Sequence, residues 1–216
     1  VDTEKLITVL AADAGPVRPL APPSARLGRW ILITVPFVAA GVLAFGLRAD
    51  LAAALVDPRF ALTGILAVAT AMAGASAALV LAVPGAERTP VARWLPVALL
   101  AVWSAAIIAL LSRQGFVMEG SLAWPWSLCI AKVVVMAAPP AYVLFRMVGR
   151  AAPLRLSWAA GLAAIAGLSA GALGVQFVCE NWHAGHLLLT HYAPVVVPGA
   201  LLALVGRPWL EWAPRF

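Results

Sequence analysis

Two cysteines, three histidines and one lysine inside an apolar stretch are the side chains of this sequence best suited to chemistry. A thiolate is at once a nucleophile, a redox centre and a soft metal ligand. Cys129 is followed at i+3 by Lys132, so the two share nearly one face of a helix. A lysine within a membrane span is costly and by default marks function, and an ammonium beside a thiol favours the thiolate. Cys179 opens a second cluster with Glu180, His183, His186 and His191. Cysteine and histidine both bind zinc-like ions, which makes His183 and His186 with Cys179 a candidate metal set, although Cys-x3-His-x2-His is not a standard finger spacing. Plainer readings stand beside these: two buried thiols acting as small hydrophobes, a lysine that snorkels to the interface, and interfacial histidines that only hydrogen-bond. The residues alone leave both sets open.

The elements that must carry these side chains follow from composition. Of 216 residues, 63% are hydrophobic and 11% charged, with a mean hydropathy of +0.97. Soluble domains are nearer half apolar and a quarter charged, so soluble globular and disordered classes are excluded. Two cysteines are too few for a disulfide scaffold. A transmembrane helix needs about 20 mainly apolar residues. Six stretches qualify, at Trp30–Leu47, Phe60–Val83, Trp94–Leu111, Ser127–Val148, Trp158–Val178 and His186–Val205. The alternation expected of membrane β-strands is missing. The expected fold is an all-α integral membrane protein, a six-transmembrane-helix bundle at 30–205, with an N-terminal segment at 1–29 and a tail at 206–216.

Orientation is read from Lys and Arg. Lys5, Arg18, Arg26, Arg29, Arg88, Arg93, Arg146, Arg150, Arg155, Arg207 and Arg215 collect on one side, eleven in all, against Arg48, Arg59 and Arg113 on the other. The positive-inside rule then places both termini in the cytoplasm. The net charge of +6 is a topology signal, and basic residues scattered singly over short segments do not suggest direct nucleic-acid binding. Trp30, Trp94, Trp158, Trp209 and Trp212 inside, with Trp124, Trp126 and Trp182 outside, are expected to form interfacial belts, leaving Trp103 mid-span. Residues 1–29 show no basic n-region followed by an apolar h-region, so the first span is expected to direct insertion. Cys129 lies 24 residues before Pro153 and Cys179 lies 26 after it. At about 1.5 Å per residue, both thiols reach similar depth at the outer end of neighbouring antiparallel spans. That allows a disulfide without establishing one.

Before the first span, Asp2 and Thr3 are placed to cap a short helix over Glu4 to Ala12, with Leu6, Ile7 and Leu10 on one face and Gly15-Pro16 as its stop. It reads as a frayed surface segment or as a docking helix that fits a partner's groove. Gly167-Leu168-Ser169-Ala170-Gly171 matches G-x-S-x-G, but that motif needs a strand-to-helix elbow. Mid-span, close helix packing through small residues explains it better. Pro139-Pro140 is expected to kink the fourth span.

The run from Thr3-Glu4-Lys5-Leu6-Ile7 through Leu10-Ala11-Ala12-Asp13 to Pro16-Val17-Arg18-Pro19-Leu20 resembles the NrsF family of bacterial membrane anti-sigma factors. So do Leu47-Arg48-Ala49-Asp50-Leu51, Asp57-Pro58-Arg59-Phe60, Ser127-Leu128-Cys129-Ile130 with the later Pro139-Pro140, and a Cys closing span five. One departure is visible: Val178 stands where a His is expected before Cys179, and only Glu180 follows as an acidic residue. The resemblance implies regulation in place of enzymatic catalysis. It implies an inner-membrane protein holding an extracytoplasmic-function sigma factor through Glu4, Leu6, Ile7, Leu10 and Asp13. It also implies release on oxidative or heavy-metal stress sensed by Cys129 and Cys179, with Lys132 tuning the thiols. Partners would be the sigma factor and the lipid bilayer, with no cofactor; dimerisation is left open. The competing class is a membrane thiol oxidoreductase or a small metal or solute transporter. It is weakened by the lack of C-x-x-C and of a mid-membrane carboxylate.

Overall fold

A computed structural model describes residues 2–13, 19–85, 89–115, 125–151 and 153–210. Trp124, Trp212, Arg18, Arg88, Arg215 and the Gly15-Pro16 stop lie outside the described residues. Every described element is helical: α1 (Thr3–Asp13), α2 (Pro23–Phe45), α3 (Leu51–Leu55), α4 (Pro58–Leu81), α5 (Pro90–Gln114), α6 (Pro125–Gly149), α7 (Leu156–Gln176), α8 (Ala184–His186), a π-helical turn (Leu187–Tyr192), α9 (Ala193–Val205) and α10 (Arg207–Leu210). Six helices are long and apolar enough to cross a membrane, and α8, the π-turn and α9 make up the last of them. The chain is a multi-pass membrane protein.

Local chemistry explains the helix starts. α2, α4 and α5 open with proline in the first turn, where its missing N–H has no partner to lose. The Asp57 carboxylate caps α4 by accepting the Arg59 N–H at 2.8 Å. α2 starts at Pro23 and not at the expected Trp30. Arg26 and Arg29 made that turn look too polar, yet Arg26 is buried and donates to the Met147 carbonyl at the end of α6.

α7 is the hub. It carries no charged residue and is buried along nearly its whole length, with α4, α6 and α9 packed around it. Lipid tails are as apolar as leucine, so packing and not apolar burial must hold such helices together. Small residues make the packing close: a Cβ on Gly167 would lie 2.6 Å from the Ala141 Cβ, and one on Gly161 would lie 2.6 Å from the Ala203 Cβ. The G-x-S-x-G stretch is therefore a packing face against α6. Leu32, Leu43, Tyr142 and Leu204 point outward, as a lipid-facing surface requires.

Trp30 corrects the belt reading. It is 1% exposed, and its indole N–H donates to the Pro140 carbonyl at 2.9 Å. It ties α2 to α6 within the core, and α6 runs through Pro139 and Pro140 as one helix. Trp94 is exposed, and Trp103 is buried against Tyr192 with ring centroids 5.4 Å apart.

Candidate functional site

The bundle has two ends. At one end lie the C-termini of α2, α5 and α7 and the N-termini of α4, α6 and α8; the start of α2 and the end of α6 lie at the other. α6 has 25 residues, so the ends are about 37 Å apart along it. Cys129 sits in the first turns of α6. Cys179 sits on the turn that closes α7, its N–H donating to the Val175 carbonyl at 2.8 Å. Their sulfurs are 3.7 Å apart with Cys129 as donor, and both thiols are free and part-buried.

His186 completes the group. Its Nε2 is 3.2 Å from the Cys179 Sγ, and one donor atom from each of Cys129, Cys179 and His186 lies within 4.8 Å of the others. Among the described residues, these three are the set placed to hold a metal ion. His183 of the expected set is exposed and outside this group, its N–H donating to the Asn181 side chain at 2.9 Å. The sequence cluster also contained His191, which the expected set omitted. The π-turn brings its ring to 5.6 Å from that of His186, and its buried Nε2 has no hydrogen-bond partner among the described residues. The hydrogen bond from Cys129 holds the Cys179 thiol below the ordinary thiol range. Burial opposes that shift, while hydrogen bonds from His186 and His191 add to it.

Lys132 is half-buried with its Nζ 5.7 Å from the centre of the Phe45 ring on α2. Glu4, Leu6, Ile7, Leu10 and Asp13 are all exposed on α1, which extends from Thr3 with the Glu4 N–H donating to Asp2 at 3.2 Å. α1 also exposes Val9, beside Leu6 and Leu10 on its apolar face and missing from the expected set.

A clamp holds the Cys179 loop, and residue-type reasoning passed over it. The Arg48 side chain is fully buried and grips Asp50 at 2.6 and 2.7 Å. The Arg48 N–H donates to the Phe177 carbonyl at 3.0 Å, and its guanidinium stacks 4.7 Å over Trp182. Glu180 accepts the Ala49 N–H at 2.8 Å. Gln176 donates to the Phe60 carbonyl at 2.6 Å, and Gln114 accepts from the Ala184 N–H at 2.9 Å. The signal available in the sequence was Arg-x-Asp at the end of a span, an unusual place for a charge to be buried. The Arg48 hydrogen bond holds the Asp50 carboxyl below its ordinary range.

Fold and site together define a polytopic helical membrane protein with a paired-thiol centre at one end and an exposed amphipathic helix joined to the other. Comparison with known proteins places it more closely. Residues 10–212 match the model of the NrsF family, described as negative regulator of sigma F, and the chain belongs to that family. It is 31% identical to the "Probable anti-sigma-F factor NrsF" of Azospira oryzae, over 97% of this chain and 99% of that protein. No solved structure matches. The family is one of anti-sigma factors, so a sigma factor is the partner it implies. The family match begins at Leu10, leaving Glu4, Leu6 and Ile7 before it.

Proposed function

We propose that this chain is an inner-membrane anti-sigma factor that holds an extracytoplasmic-function sigma factor and releases it when Cys129 and Cys179 react under oxidative or heavy-metal stress. The observation that carries this reading is the 3.7 Å approach of the two thiols, at the end of the bundle away from the α2 terminus that bears α1. The eleven-to-three split of basic residues supports both termini in the cytoplasm. α1 then faces the sigma factor and the thiols face the oxidising side. The exposed Leu6, Ile7 and Leu10, flanked by Glu4 and Asp13, suit a groove on the sigma factor.

The packing suggests how the ends communicate. A disulfide needs the sulfurs at about 2.0 Å, so they must close from 3.7 Å. α6 cannot slide freely on α7, because Gly167 sits against Ala141. The closure therefore falls on the 177–183 loop and on a tilt of α6. Trp30 and Arg26 of α2 both donate to α6 carbonyls, at Pro140 and Met147. A tilt of α6 thus reaches α2 and, through it, α1. A difference of about 1.4 kcal/mol in sigma affinity between the reduced and oxidised states gives tenfold release. Lys132, one turn from Cys129, favours the thiolate that begins the reaction.

The test is capture of the cell's sigma factors by the detergent-solubilised chain before and after mild peroxide. Capture lost on oxidation and retained in Cys129→Ser and Cys179→Ser is the expected result. Capture of no sigma factor in either state removes the reading, and a double Cys→Ser variant that still releases on oxidation removes the thiol switch.

A further inference from the structure

We propose that Cys129, Cys179 and His186 together bind one thiophilic d10 cation of the zinc and cadmium class, as an exchangeable signal and not as a resident cofactor. The first argument is metric. A tetrahedral ion with bonds of about 2.3 Å to sulfur and 2.0–2.1 Å to nitrogen needs its donors about 3.8 Å apart for two sulfurs and about 3.6 Å for sulfur and nitrogen. The structure has 3.7 Å between the sulfurs and 3.2 Å between the Cys179 Sγ and the His186 Nε2. Both spacings lie within a few tenths of an ångström of two edges of a metal site. The sulfur spacing is nearly twice that of a disulfide, about 2.0 Å.

Chemistry and scaffold agree with the distances. Two thiolates and an imidazole select borderline-soft ions over magnesium or calcium. Glu180, the nearest carboxylate in sequence, is turned to the Ala49 N–H and does not dilute the set. Each donor sits on a different element: the start of α6, the closing turn of α7 and α8. The Leu187 N–H bond to the His183 carbonyl, 3.0 Å, fixes the α8 turn that presents His186. His191 stands behind His186 with a buried, unpartnered Nε2, the kind of outer neighbour that orients a ligand ring. Three protein donors leave the fourth position open, so the ion can exchange. On binding, the two thiol protons pass to water and their charges neutralise the divalent ion. The bound ion would draw α6, α7 and α8 together without closing the sulfur–sulfur bond.

This inference rests on the thiol-switch reading only for its consequence, and the experiment separates the two. Reduced, detergent-solubilised full-length protein is titrated anaerobically with cadmium alone and zinc alone, following thiolate-to-cadmium charge-transfer absorption and ion stoichiometry. Peroxide-driven loss of free thiols is followed in parallel on the same samples. One ion per chain is expected. His186→Ala and His186→Gln should each weaken binding by about tenfold or more, and each single Cys→Ser should halve the charge-transfer band. His183→Ala should bind as the parent does. Circular dichroism and a monodisperse elution profile establish that each variant is folded. No saturable binding in the parent, or parental affinity in both His186 variants, overturns the site, and an intact disulfide reaction in those samples leaves the redox switch standing. Binding with no disulfide formed sinks the redox step and leaves the site.

Discussion

Replacing Gly167 with alanine should destabilise the bundle, against the usual direction of a glycine-to-alanine change in a helix. In an ordinary helix interior that change stabilises by about 1 kcal/mol, because glycine has the larger conformational entropy to lose. Here the new methyl would lie 2.6 Å from the Ala141 Cβ and 2.7 Å from its Cα. Carbon atoms rest at about 3.5–4.0 Å, so α6 and α7 must part by about 1 Å. A gap of that size forfeits a quarter to a half of each contact worth about 0.1–0.2 kcal/mol. Summed over some tens of contacts, the loss is about 2–3 kcal/mol, in line with overpacked cores generally. Loss exceeds gain, and the net effect is about 1–2 kcal/mol of destabilisation. The assay is reversible unfolding in mixed micelles, with Gly28→Ala as control. Gly28 lies in α2 with nothing within 4 Å of its missing Cβ, so that variant should be neutral or more stable. Equal or higher stability for Gly167→Ala would refute the claim that close α6–α7 approach holds the bundle.

Other expectations follow from single contacts. Trp30→Phe keeps the ring but loses the indole bond to Pro140, which should cost about 1 kcal/mol in the same unfolding assay. Leu6→Asp with Leu10→Asp on α1 should leave unfolding unchanged, since both are exposed, yet reduce sigma capture in the pull-down. The Asp50 carboxyl is held below its ordinary range by Arg48. Its contribution is therefore fully present above the unfolded-state carboxylate pKa and is lost as pH falls through the lower folded value. Hydrogen exchange in residues 177–183 should accelerate over that acid window, and Asp50→Asn should remove the dependence.

Much of the fold is legible from hydropathy because a bilayer restricts the choices. Each span must satisfy its own backbone polar groups, so an apolar run of the right length can only be a helix. Cys129 and Cys179 could be placed at one depth by counting residues from Pro153, since helical rise is constant. Trp30 was misread for a related reason: composition marks a tryptophan near a span end but not whether a neighbouring helix offers its indole a carbonyl. Arg26 misled in the same way, as a charge that seemed to precede the membrane and instead bonds to the end of α6.

The chemical set at the thiol end was not legible by counting. His183 and His186 are equivalent candidates along the chain, and the short α8 turn directs only His186 toward Cys179. His191 reaches the same neighbourhood because the π-turn shifts the register of the last span. The Arg48 clamp joins residues 128 positions apart and more. Helical rise, apolar length and charge bias are local quantities that sum along one chain segment, and the spans and their order follow from them. Which side chains meet depends on how α7 lets its neighbours approach and rotate. That is set by close contacts between helices distant in sequence, and no single segment contains them.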